Sequence, residues 1–284
     1  MRICSLYSGS SGNSIFIASD SAKVLIDAGL PGKNIEAALK EIKEDPHTID
    51  GIFITHEHSD HIKGVGVMSR KYDIPIYANE ATWKSMLPCI GKIKEHNIKI
   101  IERRSVTPIK DMEVICFNIP HDAIAPMGYT LQSKGKRISV ATDLGTFTEE
   151  VKYNIKDSDV ILLESNHDVQ MLKFGPYPYP LKRRVLSEIG HLSNEACGAA
   201  LVDIHDESKA RRIILGHLSN TNNYPELAYQ TVLNILNENK ITIPEGGFTE
   251  PEYVGTPANL TPPTYEEDYF DRDSEDGEIE NELS

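Results

Sequence analysis

Three histidines and one aspartate crowd into the stretch "HEHSDH": His56, His58, Asp60 and His61. The apolar run Gly51–Thr55 precedes it and reads as a strand. His56 and His58 are two positions apart, so an extended backbone turns both imidazoles to one side. Asp60 and His61 follow in the turn and reach a second point nearby. Imidazole and carboxylate donors at this density suit zinc or manganese. Titratable groups packed so closely are costly to bury unless paired or metallated. The spacing therefore points to a metal centre rather than to a polar loop.

Four further residues end apolar runs: Asp27 in "LIDAG", His121 in "IPHDA", Asp143 in "VATDLG" and His217 in "ILGHLSN". Taken singly, a strand-end Asp is as readily a helix cap. The pentapeptide "GHLSN" occurs twice, at Gly190–Asn194 and Gly216–Asn220. The second copy follows the strand-like run Arg212–Leu215. The first opens the helical pattern Glu195–Ile204, so Ser193 and Asn194 can cap that helix. An imidazole such as His191 beside a helix N-terminus suits phosphate binding and acid catalysis.

These residues need an α/β frame. Strand-like runs at Ile15–Ala18, Val24–Ile26, Gly51–Thr55, Val114–Ile119, Ile138–Ala141, Val160–Leu163 and Arg212–Leu215 alternate with helical patterns. The helices are expected at Asn34–Glu44, Ile62–Tyr72, Glu195–Ile204 and Glu226–Asn239. From Pro244 to Ser284 the periodicity fails, and the segment carries 13 of the 43 acidic residues with a single basic one. It reads as a disordered acidic tail whose Tyr253, Tyr265, Tyr269 and Phe270 can anchor a protein partner. Positions 1–243 hold 28 basic against 30 acidic residues, so the overall charge of −14 does not bar a polyanionic ligand. The four cysteines form no C-x-x-C pair and read as reduced. With no signal-peptide pattern and no membrane-length apolar run, the expectation is a cytoplasmic protein.

The "HEHSDH" stretch closely resembles the H-x-H-x-D-H motif of the metallo-β-lactamase fold, and the later residues follow in the family's order. The resemblance implies one αββα four-layer sandwich at 1–243. It implies two metal ions, with His56, His58 and His121 holding one and Asp60, His61 and His217 the other. Asp143 would bridge them, and Asp27 would support the site. Two cations about 3.5–4 Å apart can clamp the attacking and leaving oxygens of a displacement. Within the superfamily, "SGSSGNS" at Ser8–Ser14 with "LIDAGL" resembles the nuclease-like YycJ/WalJ type. Glu164 in "LLESNHD" is placed like the Glu of the tRNA 3′-processing ribonucleases, which orients a downstream His; here that is His191.

The expected activity is therefore metal-dependent phosphodiester hydrolysis, by resemblance a 5′→3′ exonuclease on DNA serving repair. Its catalytic set is His191, Glu164 and Asp60, the last also a metal ligand. Substrate contacts are expected from Ser11 and Asn13 in the small-residue loop, whose free N–H groups suit an anion. Ser193 and Asn194 are expected to contribute from the helix start, and Lys182 and Arg183 from "KFGPYPYPLKRR". That last stretch offers cations for phosphates and rings for bases, with prolines keeping it extended. His167 either touches substrate or stacks on the surface. The 74 positions between Asp143 and His217 leave no room for the inserted domain of β-CASP nucleases. The alternatives are an RNA endonuclease, a cyclic-nucleotide phosphodiesterase or, in another class, a metal-stabilised nucleic-acid-binding module that recruits partners through the tail.

Overall fold

The computed structural model describes residues 1–242 and Phe248–Thr249. Its apolar runs form two sheets lying face to face. The first contains β1 (Arg2–Tyr7), β2 (Ser14–Ala18), β3 (Lys23–Ile26), β4 (Gly51–Phe53), β5 (Ile76–Ala78) and β6 (Ile98–Ile100), paired in that order. Pairing is antiparallel as far as β3 and parallel beyond it. The second contains β7 (Val106–Ile109), β8 (Met112–Asn118), β9 (Met127–Ser133), β10 (Lys136–Ala141), β11 (Val160–Glu164), β12 (Arg212–Gly216) and β13 (Phe248–Thr249), again paired in chain order. Here β7 to β10 are antiparallel and β10 to β13 parallel. The helices are α1 (Gly32–Glu41), α2 (Ser59–Ile62), α3 (Val65–Tyr72), α4 (Glu80–Ile90), α5 (Glu149–Ile155), α6 (Val169–Phe174), α7 (Tyr179–Val185), α8 (Asn194–Asp203) and α9 (Pro225–Glu238).

The two-residue period of each strand sorts its side chains into separate cores. In β2, Ile15 and Ile17 join Val114, Tyr129 and Leu131 of the second sheet. Phe16 and Ala18 instead join Ile35, Leu39, Met68 and Trp83 of α1, α3 and α4. In β11, Leu162 lies between the sheets, while Ile161 and Leu163 pack with residues of α5, α8 and α9. Strands covered on both faces read as continuous apolar runs, which is why they stood out in the sequence. The layers are αββα, as the resemblance implied.

Three local expectations change. The helix expected at Ile62–Tyr72 is two, α2 and α3, parted at Lys63–Gly64. The stretch Lys173–Arg184 is not extended: α6 ends at Phe174 and α7 begins at Tyr179. Pro180 falls in the first turn of α7, where its missing N–H costs no hydrogen bond and its fixed φ favours the helix. Beyond the boundary expected at residue 243, Phe248 and Thr249 pair with Ile213 and Ile214 of β12. The rest of Pro244–Ser284, with its proposed partner anchors, lies outside the described residues. Among the described residues, no helix is long and apolar enough to cross a membrane.

Site residues gather where the parallel strands of both sheets end, the usual location for a ligand crevice in α/β sheets. Asp27, Asp143 and His217 each follow a strand and take left-handed backbone, with φ of 61°, 58° and 54°. That conformation costs a non-glycine residue on the order of 1–3 kcal/mol, and it turns each chain sharply out of its sheet. The loops behind the metal motif are pinned by backbone bonds. Asn13 N–H donates to Asp60 O at 2.8 Å, Gly29 N–H to Asn13 O at 2.8 Å and Ala28 N–H to His61 O at 3.0 Å. A Cβ on Gly29 would lie 1.6 Å from Asp60 O. Gly29→Ala must therefore push the motif away. It is expected to lose about 1–3 kcal/mol, seen as a lower Tm, and to retain less metal. Unchanged Tm and metal content would show that this loop does not hold Asp60.

Candidate metal centre

The six expected histidine and aspartate ligands and the expected bridge, Asp143, converge. One donor atom each from His56, His58 and His121 falls within 4.8 Å of the others, and the same holds for Asp60, His61 and His217. Asp143 reaches both groups. Its Oδ2 is 3.3 Å from His61 Nε2, and its Oδ1 is 3.4 Å from His217 Nε2 and 3.9 Å from His121 Nε2.

The imidazoles are oriented from behind. His56 Nδ1 meets Thr55 Oγ1 at 3.0 Å, His61 Nδ1 meets Asp27 Oδ2 at 2.8 Å, and His121 Nδ1 meets Gly190 O at 3.2 Å. His217 Nδ1 meets Glu164 Oε1 at 2.8 Å. Anchoring one ring nitrogen fixes the tautomer and leaves the other to face a metal. Asp27 plays the supporting part expected of it, since it also accepts from Thr55 N–H and Thr55 Oγ1–H at 2.8 Å each.

Glu164 is fully buried and serves both pentapeptides. Its Oε1 accepts from His191 Nδ1 at 2.8 Å as well as from His217. Its Oε2 accepts from the N–H groups of Leu144 and Leu192, at 2.8 and 3.1 Å. Burial alone would raise its pKa, but the His191 and His217 imidazoles outweigh that and hold it below the usual carboxylate range. The sequence paired Glu164 with His191; its hold on His217 was missed, because nothing in the spacing shows that the two GHLSN loops meet.

The expected substrate residues divide differently. Asn13 is buried, with Nδ2 3.3 Å from Asp60 Oδ2 and 3.1 Å from His61 Nε2 and Oδ1 accepting from Gly9 N–H. It steadies Asp60 and His61. In the small-residue loop the N–H groups of Gly9, Gly12 and Asn13 are all bonded within the protein, so these three are not free for an anion. Ser11 is exposed. Ser193 Oγ caps α8 by accepting from Ala196 N–H, and Asn194 is buried against Ser165 and Asn223. Lys182 donates to the carbonyls of Lys173 and Gly175. Arg183 is exposed on α7. His167 is 1% exposed, so it does not stack on the surface; burial pushes it down to about 4.

The convergent donors border a cavity of about 310 Å³, which His58, Asp60, His121, Asp143, His191 and His217 line together. Tyr177 and Arg184, from the basic aromatic stretch offered to nucleic acid, also face it, as do Asn166 and Asn222, which were not singled out from the sequence. Asn166 adjoins His167, and that proximity was its only signal; nothing in the sequence marked Asn222. The donor set fits divalent cations. Asp143 Oδ2 and His217 Nε2 are buried with no hydrogen-bond partner, yet both face the cluster, an unfavourable arrangement that a cation would complete.

The sequence profile of the Beta-lactamase superfamily domain matches residues 22–218, and the chain belongs to that superfamily. With its His/Asp donor clusters, it is a metal-dependent hydrolase. It is 44% identical to the exodeoxyribonuclease YycJ of Bacillus anthracis over 234 residues, 82% of this chain and 88% of that one. It is 40% identical to the exodeoxyribonuclease WalJ of Streptococcus pneumoniae serotype 2 over 261 residues, 91% and 96% of the two chains. The resemblance to the YycJ/WalJ type is thereby borne out. Zn²⁺-bound PqqB from Methylobacterium extorquens shares the fold, with a TM-score of 0.63, 86% of each chain covered and 19% identity.

The electrostatics give a test of metal loading. Burial opposes charge on His61 and His217, but the surrounding carboxylates prevail. Asp60, Asp143 and Asp27 raise His61 well above its usual value, and Asp143, Asp60 and Glu164 raise His217 to about 10. Burial and the neighbouring imidazoles instead hold His56 well below its usual value. Without cations, His61 and His217 are thus protonated at neutral pH, and a metal must displace those protons to bind. Titration calorimetry at pH 7 in buffers of different ionisation enthalpy is expected to show proton release, with affinity rising as pH rises. A buffer-independent heat would contradict this assignment.

Proposed function

We propose that the protein is a two-metal phosphodiester hydrolase that removes nucleotides from the 5′ end of DNA, in the service of repair. The observation that carries this reading is His191. It belongs to neither expected ligand triad, yet it lines the same cavity and is held by the carboxylate that also holds His217. Simple metal-assisted hydrolysis needs no such group; expulsion of a poor alkoxide leaving group does. The two relatives described above are both exodeoxyribonucleases, which supports DNA as the substrate.

His56, His58 and His121 would hold one ion and Asp60, His61 and His217 the other, with Asp143 between them; zinc and manganese both suit these donors. When bound, the ions would supply an acidified water as nucleophile and positive charge against the phosphoryl oxygens. Asp60 keeps a carboxylate beside the reacting phosphate; His61 and His217 outweigh the effect of burial and hold its pKa well below the usual range. His191 keeps its Nδ1 proton on Glu164, so its Nε2 is the atom that passes a proton to the leaving oxygen as the phosphorus–oxygen bond breaks. Glu164 acts through that imidazole and remains charged.

Two measurements follow. Strands of DNA and RNA labelled at either end, incubated with Mn²⁺ or Zn²⁺, are expected to release mononucleotides progressively from the 5′ end of DNA. Internal cuts, or activity on RNA alone, would contradict the reading, and bound metal with tight binding but no turnover would favour a binding module. Separately, His191→Ala is expected to keep its metals and lose about 10²–10⁴-fold in kcat, whereas His217→Ala is expected to lose metal occupancy. Equal metal loss in both variants, measured by elemental analysis, would remove the distinction between the two histidines.

A further inference from the structure

One wall of the cavity has no part in the chemistry above. It is formed by Tyr177 and Leu181 beside Asn166, Ser219 and Asn222. Tyr177 lies between Pro176 and Pro178, whose rings restrict the backbone on either side. Lys182 Nζ draws the segment onto α7 by donating to Lys173 O and Gly175 O at 2.9 and 2.8 Å. The lack of a side chain at Gly175 permits the close approach of Asn222: a Cβ there would lie 2.7 Å from Asn222 Oδ1. The backbone that carries the ring is therefore set before any ligand arrives, which lowers the entropy cost of binding. Asn222 is 1% exposed, and its Oδ1, which has no hydrogen-bond partner, packs toward Gly175.

We infer that this wall is a subsite for the nucleoside at the strand end, with Tyr177 stacking on the base and Asn222 backing the segment that carries the ring. The inference rests on the exonuclease reading. A phosphate at the metal centre would leave its nucleoside within the same cavity, whose volume of about 310 Å³ is at the low end for small-molecule sites. It has space for one nucleotide, not for a base pair. An aromatic face accepts every base, so the subsite is tolerant of sequence. The outer rings Phe174 and Tyr179, 86% and 73% exposed, stand on the same segment and offer stacking to the following bases. A duplex end must fray by one nucleotide to enter.

The test is steady-state kinetics of the metal-loaded full chain on single DNA strands of one length, bearing at the 5′ end either a normal nucleotide or an abasic one. With wild-type protein, loss of the terminal base is expected to raise KM about tenfold. Tyr177→Ala is expected to raise KM by a similar factor on the normal strand and to add little on the abasic strand. Tyr177→Phe is expected to keep the wild-type preference. The proposal is overturned if wild-type protein treats the two ends alike, or if Tyr177→Ala raises KM equally on both. A wild-type protein that digests neither strand would remove the exonuclease reading, and this subsite with it.

Discussion

The Glu164 carboxylate is the interaction on which the rest of the site depends. A charge buried this completely is tolerated only when its lone pairs are met, and four donors meet it. Two are backbone N–H groups, from Leu144 just beyond Asp143 and from Leu192 just beyond His191. Two are the imidazoles of the pentapeptides. One side chain at the end of β11 therefore sets the position of the Asp143 loop, of His217, the proposed metal ligand, and of His191, the proposed proton donor. The two GHLSN copies share one anchor. Each imidazole Nδ1 is held on that anchor, and under the proposed mechanism Nε2 faces a cation in one copy and a leaving group in the other.

The surrounding architecture keeps this arrangement stiff. Ligands leave the sheet directly at strand ends, so their backbones inherit the rigidity of strands packed on both faces. The left-handed turns at Asp27, Asp143 and His217 add strain that the adjoining cores must hold. The N-terminal loop crosses between the two halves of the site. Ser8 Oγ accepts from His217 N–H at 2.7 Å, and Asn13 fixes the loop carrying Asp60 and His61. Small residues in that loop serve close packing, and three of its N–H groups are taken up within the protein.

The cluster of candidate metal ligands was legible in the sequence because imidazoles clustered at fixed spacing after an apolar strand are too costly to bury without a cation. The doubly buried strands were legible as unbroken apolar runs. Short or half-exposed elements were not. The strand β6 and the edge strand β7 are three and four residues long and partly exposed. Helix α4 carries Pro88 within it, which masks its period. The stretch around Tyr177 looked extended because proline was read as a breaker, although Pro180 falls in the first turn, where it starts a helix. Lys182 and Asn194 looked like substrate contacts by residue type, but both serve the protein's own backbone and amides. Residue type identifies what can bind a phosphate; only the fold shows which groups are already engaged.

The central claim is that one carboxylate governs both metal retention and proton donation, and Glu164→Gln tests it most directly. The amide matches the carboxylate in shape but cannot accept on both sides: its NH₂ must face either two imidazole N–H groups or two backbone N–H groups. Metal content by elemental analysis and single-turnover rates on DNA, taken on the same preparation, give the answer. The account predicts that Glu164→Gln falls below full metal occupancy and loses turnover beyond what restoring excess metal recovers. A variant that keeps full occupancy and the wild-type rate would contradict it.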